Sequence, residues 1–266
     1  MLEAFTGDAV WMIPAGFAIG LVGSMVGVGG GFVIVPMLIL LRPEMLPAVV
    51  TGISLAVIAL NAWSSVAVYA AKGRIDFRVG LTYAAIGIPG VYLGTWTVSR
   101  LDRESFGWIM GLSLTAMAIF LFQKSFARDA RAKEEAKSSQ PEPRTVTSVT
   151  AIGSGISLVV GFISALLGIG GGVIHVPAMV YWMQYTAARA VATSQLLLAV
   201  MASVSTGINF AHGTLNGHWD SVLWLGLGAV VGAQIGSRLA DRVNGVYIIR
   251  VLAGILLVSA LRVMFG

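Results

Sequence analysis

A glycine-rich run occurs twice in this chain, each time inside a segment apolar enough for a membrane. The first runs from Gly20 to Pro36 around Gly29-Gly30-Gly31, and the second from Gly161 to Pro177 around Gly170-Gly171-Gly172. The copies lie 141 residues apart throughout, so that Gly27, Val35 and Pro36 recur as Gly168, Val176 and Pro177. Clustered glycine weakens a helix because it has no side chain to restrict the unfolded backbone. In hydrocarbon, however, broken backbone is tolerated only where protein buries it or where it lines a wet cavity. The chain must therefore build two interrupted helices and protect both interruptions.

Composition sets the surroundings. Hydrophobic residues make up 57% of the 266 residues and charged residues 11%, with a mean hydropathy of +0.86. Soluble domains carry roughly a quarter charged residues, so a polytopic membrane protein is expected. With no cysteine, disulfides and thiolate metal sites are excluded. The net charge of +5 does not call for nucleic acid, because basic residues of membrane proteins gather on the cytoplasmic face. The N-terminus carries Glu3 and Asp8 and no basic residue, unlike a cleavable signal peptide.

The first apolar segment, 9–41, is too long for one simple crossing of about 20 residues. Its glycines divide it into a long piece and a piece of about ten residues, only about 15 Å in helical form. Further spans are expected at 47–71, 77–98 and 106–122. A polar linker at 124–147, helical before Ser138 and irregular after it, leads to a second set at 149–183, 187–211, 220–239 and 246–265. The G-x-x-x-G pair Gly90 and Gly94 recurs as Gly232 and Gly236, and Arg100 recurs as Arg242. Ala48-Val49-Val50-Thr51 matches Ala190-Val191-Ala192-Thr193, also 142 residues on. Internal duplication follows, with a first transmembrane repeat at 1–123, a linker at 124–147 and a second repeat at 148–266.

The basic residues choose the orientation of the halves. If each broken segment folds back at its glycines, each half makes three net crossings and the halves are inverted. Only Arg42, Arg100, Arg103 and Arg262 then lie opposite the linker. Parallel halves divide the basic residues more evenly, so the positive-inside rule favours inversion with a cytoplasmic linker. The loop 213–217 then faces outward. The expected fold is an all-α polytopic membrane protein of two inverted helical repeats, each with a glycine-broken first segment and three spanning helices.

The half-helix after each run starts near mid-membrane, where its free N–H groups and positive dipole end suit an anion. Gly29, Gly30, Gly31, Gly170, Gly171 and Gly172 are thus candidate substrate-binding residues. Thr51, Ser54 and Asn61 on the next helix, with Thr193, Ser194 and Gln195 on its counterpart, can bind an oxyanion without a buried formal charge. Interhelical hydrogen bonding is the competing reading of these side chains, and tight packing that of a single glycine run. His175, where the first copy has Ile34, is a candidate for proton coupling. Pro36 and Pro177 are candidate hinge or structural positions. Three histidines without a carboxylate cluster make no metal site.

The duplicated G-x-G-G-G pattern followed by proline, the four-segment halves and the central linker resemble the TauE/SafE family of membrane permeases. The resemblance covers nearly the whole chain and implies an all-helical bundle of two inverted halves. It implies movement of sulfite, sulfoacetate, taurine-related sulfonates or similar sulfur-containing anions, usually outward. The matching positions are Gly29, Gly30, Gly31 and Pro36 with Gly170, Gly171, Gly172 and Pro177. His175 against Ile34 is a departure from the repeat. An inside-negative potential favours anion export by about 2.3 kcal/mol per charge per 100 mV. With no Asp or Glu deep in an expected span, uniport or coupling through His175 is expected. The expected partners are a small anion, the lipid bilayer of the cell membrane and a second copy of the chain, with no cofactor. The alternatives are an anion channel and a non-transporting assembly subunit. A hydrolase built on Ser154, His175 and His212 has no defensible spacing, so no enzyme is expected.

Overall fold

The computed structural model describes residues 2–135, 151–240, 254 and 257–262. Among them the regular structure is all helical. The elements are α1 (Leu2–Val26), α2 (Gly31–Leu41), α3 (Pro47–Ala71), α4 (Phe77–Val98), α5 (Arg103–Glu135), α6 (Ala151–Leu167), α7 (Gly172–Trp182), α8 (Ala187–Ala211) and α9 (Trp219–Leu239). A further helical stretch covers 257–262. Residues 9–26 of α1, together with α3, α8 and α9, are long and apolar enough to cross a membrane. Leu60, Trp63, Leu93, Trp96, Leu112, Leu223 and Leu227 are exposed on the outside of the bundle, where a lipid surface would cover them.

The glycine runs break the helices as expected. Gly27, Gly29 and Gly30 take φ of 80°, 83° and 86°, and Gly168 and Gly170 take 66° and 72°. A side chain in this left-handed region costs about 1–2 kcal/mol. The half-helices α2 and α7 have 11 residues each, about half the length needed to span. The irregular linker expected after Ser138 falls on 136–150, outside the described residues, as does most of the last expected span. α5 takes in the expected span 106–122 and continues into the charged sequence up to Glu135, the part of the linker expected to be helical.

Helix directions can be read from the close approaches. Along α1 and α9, Ile13 and Phe17 meet Gly228, and Phe17 and Leu21 meet Gly232, so the two helices run in parallel. α4 and α6 repeat this arrangement, with Leu158 and Phe162 against Gly90 and Phe162 against Gly94. Both G-x-x-x-G pairs thus meet carbonyl groups of a neighbouring backbone, the close approach that the spacing permits. α3 runs parallel to α9, with Leu60 against Gly226, Ser64 bonded to Val230 O and Lys72 bonded to Ser237 O. Against α8, α3 is antiparallel. Gly52 lies on Asn209, Trp63 Nε1 donates to Ser203 and, just past the helix, the Asp76 amide donates to Thr193.

The structure corrects the register between the halves. α2 and α7 begin 141 residues apart, α3 and α8 begin 140 apart, and α4 and α9 begin 142 apart. The connection 42–46 is one residue longer than 183–186, and 72–76 is two shorter than 212–218. Thr51 packs on Gly168 where Val191 packs on Gly27. The match of 48–51 with 190–193 is therefore two residues out of structural register.

Candidate functional site

The two breaks meet each other at the centre of the bundle. Gly31 lies against the carbonyl oxygen of Gly168, and Gly172 lies reciprocally against that of Gly27. Ile58 and Leu198 both flank Gly29 and Gly170. Each is the twelfth residue of a 25-residue helix, α3 or α8, so the contact sits beside the midpoints of two full spans. Val35 closes over Gly168 and Val176 over Gly27. Pro36 and Pro177, the next residues, lie inside α2 and α7, where each removes one helical N–H.

Hydroxyls and amides from the long helices hold the breaks. Ser54 Oγ donates to Gly168 O at 2.6 Å, and Ser194 Oγ donates to Gly27 O at 3.2 Å. These two serines are equivalent in the corrected register. Asn61 Nδ2 donates to Gly29 O at 3.4 Å, and Gln195 Nε2 donates to Gly23 O at 3.1 Å. The expected juxtaposition of glycines with polar side chains is therefore present, and its donors face carbonyl groups of the breaks. Thr51 and Thr193 hold other positions. Thr51 Oγ1 donates within its own helix to Ala48 O at 3.2 Å, and Thr193 accepts from the Asp76 amide at 3.1 Å.

His175 belongs to the surroundings of the second break. It is buried, with Nδ1 at 3.0 Å from Gly171 O. The carbonyl can only accept, so this contact puts a proton on Nδ1. Nε2 lies 3.4 Å from Ser157 Oγ, whose own hydroxyl donates to Tyr83 O at 2.6 Å. A cavity of about 20 Å³ adjoins the ring, between Tyr83, Gly153, Ile156, Ala178, Met179 and Met183. That volume can hold one water.

A second polar cluster was not anticipated from sequence. Asp76 accepts the Val79 amide at 3.1 Å and so caps α4. Its carboxylate also accepts from Tyr185 Oη at 2.7 Å and from Arg189 at 2.8 Å. The Arg189 guanidinium stacks over the Tyr185 ring at 4.7 Å. Burial raises the Asp76 carboxyl, but the hydrogen bonds from Tyr185 and Val79 and the Arg189 charge outweigh it and leave the group below the usual carboxylate value. Burial, followed by the bond to Asp76, pushes the Tyr185 hydroxyl up. An Asp immediately before α4 is a legible cap, whereas its pairing with a residue 113 positions away has no local signal. Among the described residues no cluster of His, Asp and Glu could hold a metal.

Comparison with known proteins gives the family. The family model described as "Sulfite exporter TauE/SafE" matches residues 12–263. The chain is 32% identical over 247 residues to "Probable membrane transporter protein YunE" of Bacillus subtilis (strain 168), covering 88% of each chain. It is 31% identical over 189 residues to "Probable membrane transporter protein MJ0441" of Methanocaldococcus jannaschii, covering 69% of this chain and 65% of that one. No solved structure matches. With the family match spanning nearly the whole chain, the protein belongs to the TauE/SafE family of membrane transport proteins.

Proposed function

We propose that the protein exports a small sulfur-containing anion, such as sulfite, sulfoacetate or a taurine-related sulfonate, by alternating access about the paired glycine breaks. The observation that carries this reading is the reciprocal contact of Gly31 with Gly168 and of Gly172 with Gly27. Interrupted helices meeting near mid-membrane at a repeat interface are the usual site of substrate binding in transporters. The half-helices α2 and α7 each begin there, with their positive dipole ends and N–H groups that lack intrahelical partners. The proposed binding residues are Gly29, Gly30, Gly31, Gly170, Gly171 and Gly172 with Ser54, Asn61, Ser194 and Gln195. Thr51 and Thr193 border this group through packing and through the Asp76 loop.

The two halves, 1–123 and 148–266, act in this reading as an inverted pair joined by a cytoplasmic linker in the cell membrane. The antiparallel course of α3 and α8 supports it, as does the exchange in which α1 packs on α9 and α6 on α4. Rocking one half against the other would part the breaks on one face at a time. The membrane potential alone drives export in a uniporter, and His175, bonded to the cap of α7, is the position for proton coupling. A homodimer is compatible with this scheme.

The test is efflux of sulfite, sulfoacetate or aminoethanesulfonate from proteoliposomes under an imposed voltage without a pH gradient. Saturable, voltage-driven flux with counterflow is expected. Flux that never saturates would replace transport with a channel. Absence of flux and of ligand-dependent thermal stabilisation would leave an assembly role.

A further inference from the structure

The two buried amides at the first break are incompletely bonded. Asn61 and Gln195 are 1% and 0% exposed. Each uses its NH2 group on a carbonyl of the first run, Gly29 O and Gly23 O respectively. Each leaves its oxygen, Asn61 Oδ1 or Gln195 Oε1, without a hydrogen-bond partner. Turning either amide over would set its oxygen against a carbonyl oxygen, so the bonds that exist fix the free atoms as acceptors. A buried acceptor left unpaired is costly, and in native proteins such an atom calls for an explanation.

Two further facts locate the feature. Both amides converge on one break from opposite halves of the chain, Asn61 from α3 and Gln195 from α8. The second break has no equivalent, because in the structural register Met201 and Leu55 hold the corresponding places. At the same break α2 begins, capped only by Gly30 with no side-chain bond, so its first amides are donors without intrahelical acceptors. The first break therefore offers backbone donors and a positive helix end together with two side-chain acceptors. A bare oxyanion satisfies only the donors.

Resting on the transporter reading above, we infer that the cargo carries a hydrogen-bond donor beside its anionic head. The head is taken by the start of α2, and a hydroxyl or ammonium group on the same molecule is taken by Asn61 Oδ1 and Gln195 Oε1. Contact between the breaks closes this site in the present structure, and their parting is what admits the cargo. A site with buried groups waiting for a donor rejects an analogue that lacks one, since its acceptors then stay unpaired.

Three sulfonates of one size test this: hydroxyethanesulfonate, aminoethanesulfonate and propanesulfonate, which end in hydroxyl, ammonium and methyl. Binding to the purified full-length protein is read by thermal shift, and transport by counterflow in proteoliposomes. At least one donor-bearing compound is expected to act at a concentration about tenfold or more below propanesulfonate. Asn61→Leu and Gln195→Leu should each shrink the ratio of potencies between the donor-bearing compounds and propanesulfonate. Equal potency of the three compounds would overturn the inference and leave anion transport standing, as would a preference unchanged in both variants. If none of the three binds or moves, the inference fails, and sulfite efflux from the same proteoliposomes decides whether the anion reading stands. The wild-type series decides even if a leucine variant does not fold.

Discussion

The guanidinium of Arg189 lies 2.8 Å from the carboxylate of Asp76, tying the α3–α4 loop of the first half to the start of α8 in the second. Parallel halves would put these residues on opposite faces of the membrane, and inverted halves put them on the same face. The prediction follows directly. In a chain without native cysteine, Asp76→Cys and Arg189→Cys should react with an impermeant maleimide from the linker side, and Arg42→Cys from the other. Labelling of 42 and 189 from one common face would rule out the inverted arrangement.

The same pair gives a pH dependence of stability. The folded Asp76 carboxyl titrates below its ordinary value of 3.8, its burial outweighed by Tyr185, the Val79 amide and Arg189. Its contribution is therefore complete above that ordinary value and is lost as pH falls through the lower, folded value. At neutral pH, Asp76→Asn should destabilise by about 1–2 kcal/mol, the range for hydrogen bonds to a charged group discounted for the partial exposure of Arg189. Melting both proteins from about pH 7 to about pH 3 should show the gap closing at the acid end. A gap that stays constant over this range would mean that the carboxylate charge contributes nothing.

The breaks were legible in sequence because glycine acts locally. Gly27 and Gly168, both at positive φ, mark where α1 and α6 stop. The triplets at 29–31 and 170–172 lead into α2 and α7, and the breaks at 42–46 and 183–186 set the length of those half-helices. Charge patterning, which samples every loop at once, favours inversion, and the labelling above is what tests it. The register of α3 against α8 was not legible. It depends on loops that differ by one and two residues, and the local similarity of 48–51 to 190–193 suggested the wrong alignment. Nor was hydrogen-bond direction legible. Ser54 and Ser194 were visible as hydroxyls in apolar helices, but only the fold shows that their hydrogens face Gly168 and Gly27 carbonyls. The Asp76–Arg189 pair escaped for the same reason, being a contact between distant loops.

Ser54 and Ser194 should behave as a matched pair. Each closes one break with one hydrogen bond, at 2.6 Å and 3.2 Å. Interhelical bonds of this type in membranes contribute about 0.6 kcal/mol on average, so Ser54→Ala and Ser194→Ala should each lower stability only slightly. In the proposed cycle the breaks separate, so both substitutions should change flux more than stability. A combined variant with additive stability loss would match bonds at separate breaks. Flux unaffected in both variants would show that the serines only support packing.

Gly31 and Gly172 separate the contact between breaks from backbone strain. Neither has a positive φ, so alanine is compatible with either backbone. A Cβ at Gly31 would run into Gly168 O and come within 2.9 Å of Ile169 Cα. At Gly172 it would run into Gly27 O and come within 2.9 Å of Val28 Cα. Gly155, in contrast, is helical and has open space where a Cβ would go. Gly155→Ala should be neutral or stabilising by up to about 1 kcal/mol through helix propensity. Gly31→Ala and Gly172→Ala should each destabilise by about 1–3 kcal/mol, the usual cost of overpacking, and should abolish flux even where the protein still inserts and purifies as a folded species. Efflux from proteoliposomes alongside thermal melts reads both effects. Wild-type flux in either variant would mean that the two breaks do not need their close approach to work.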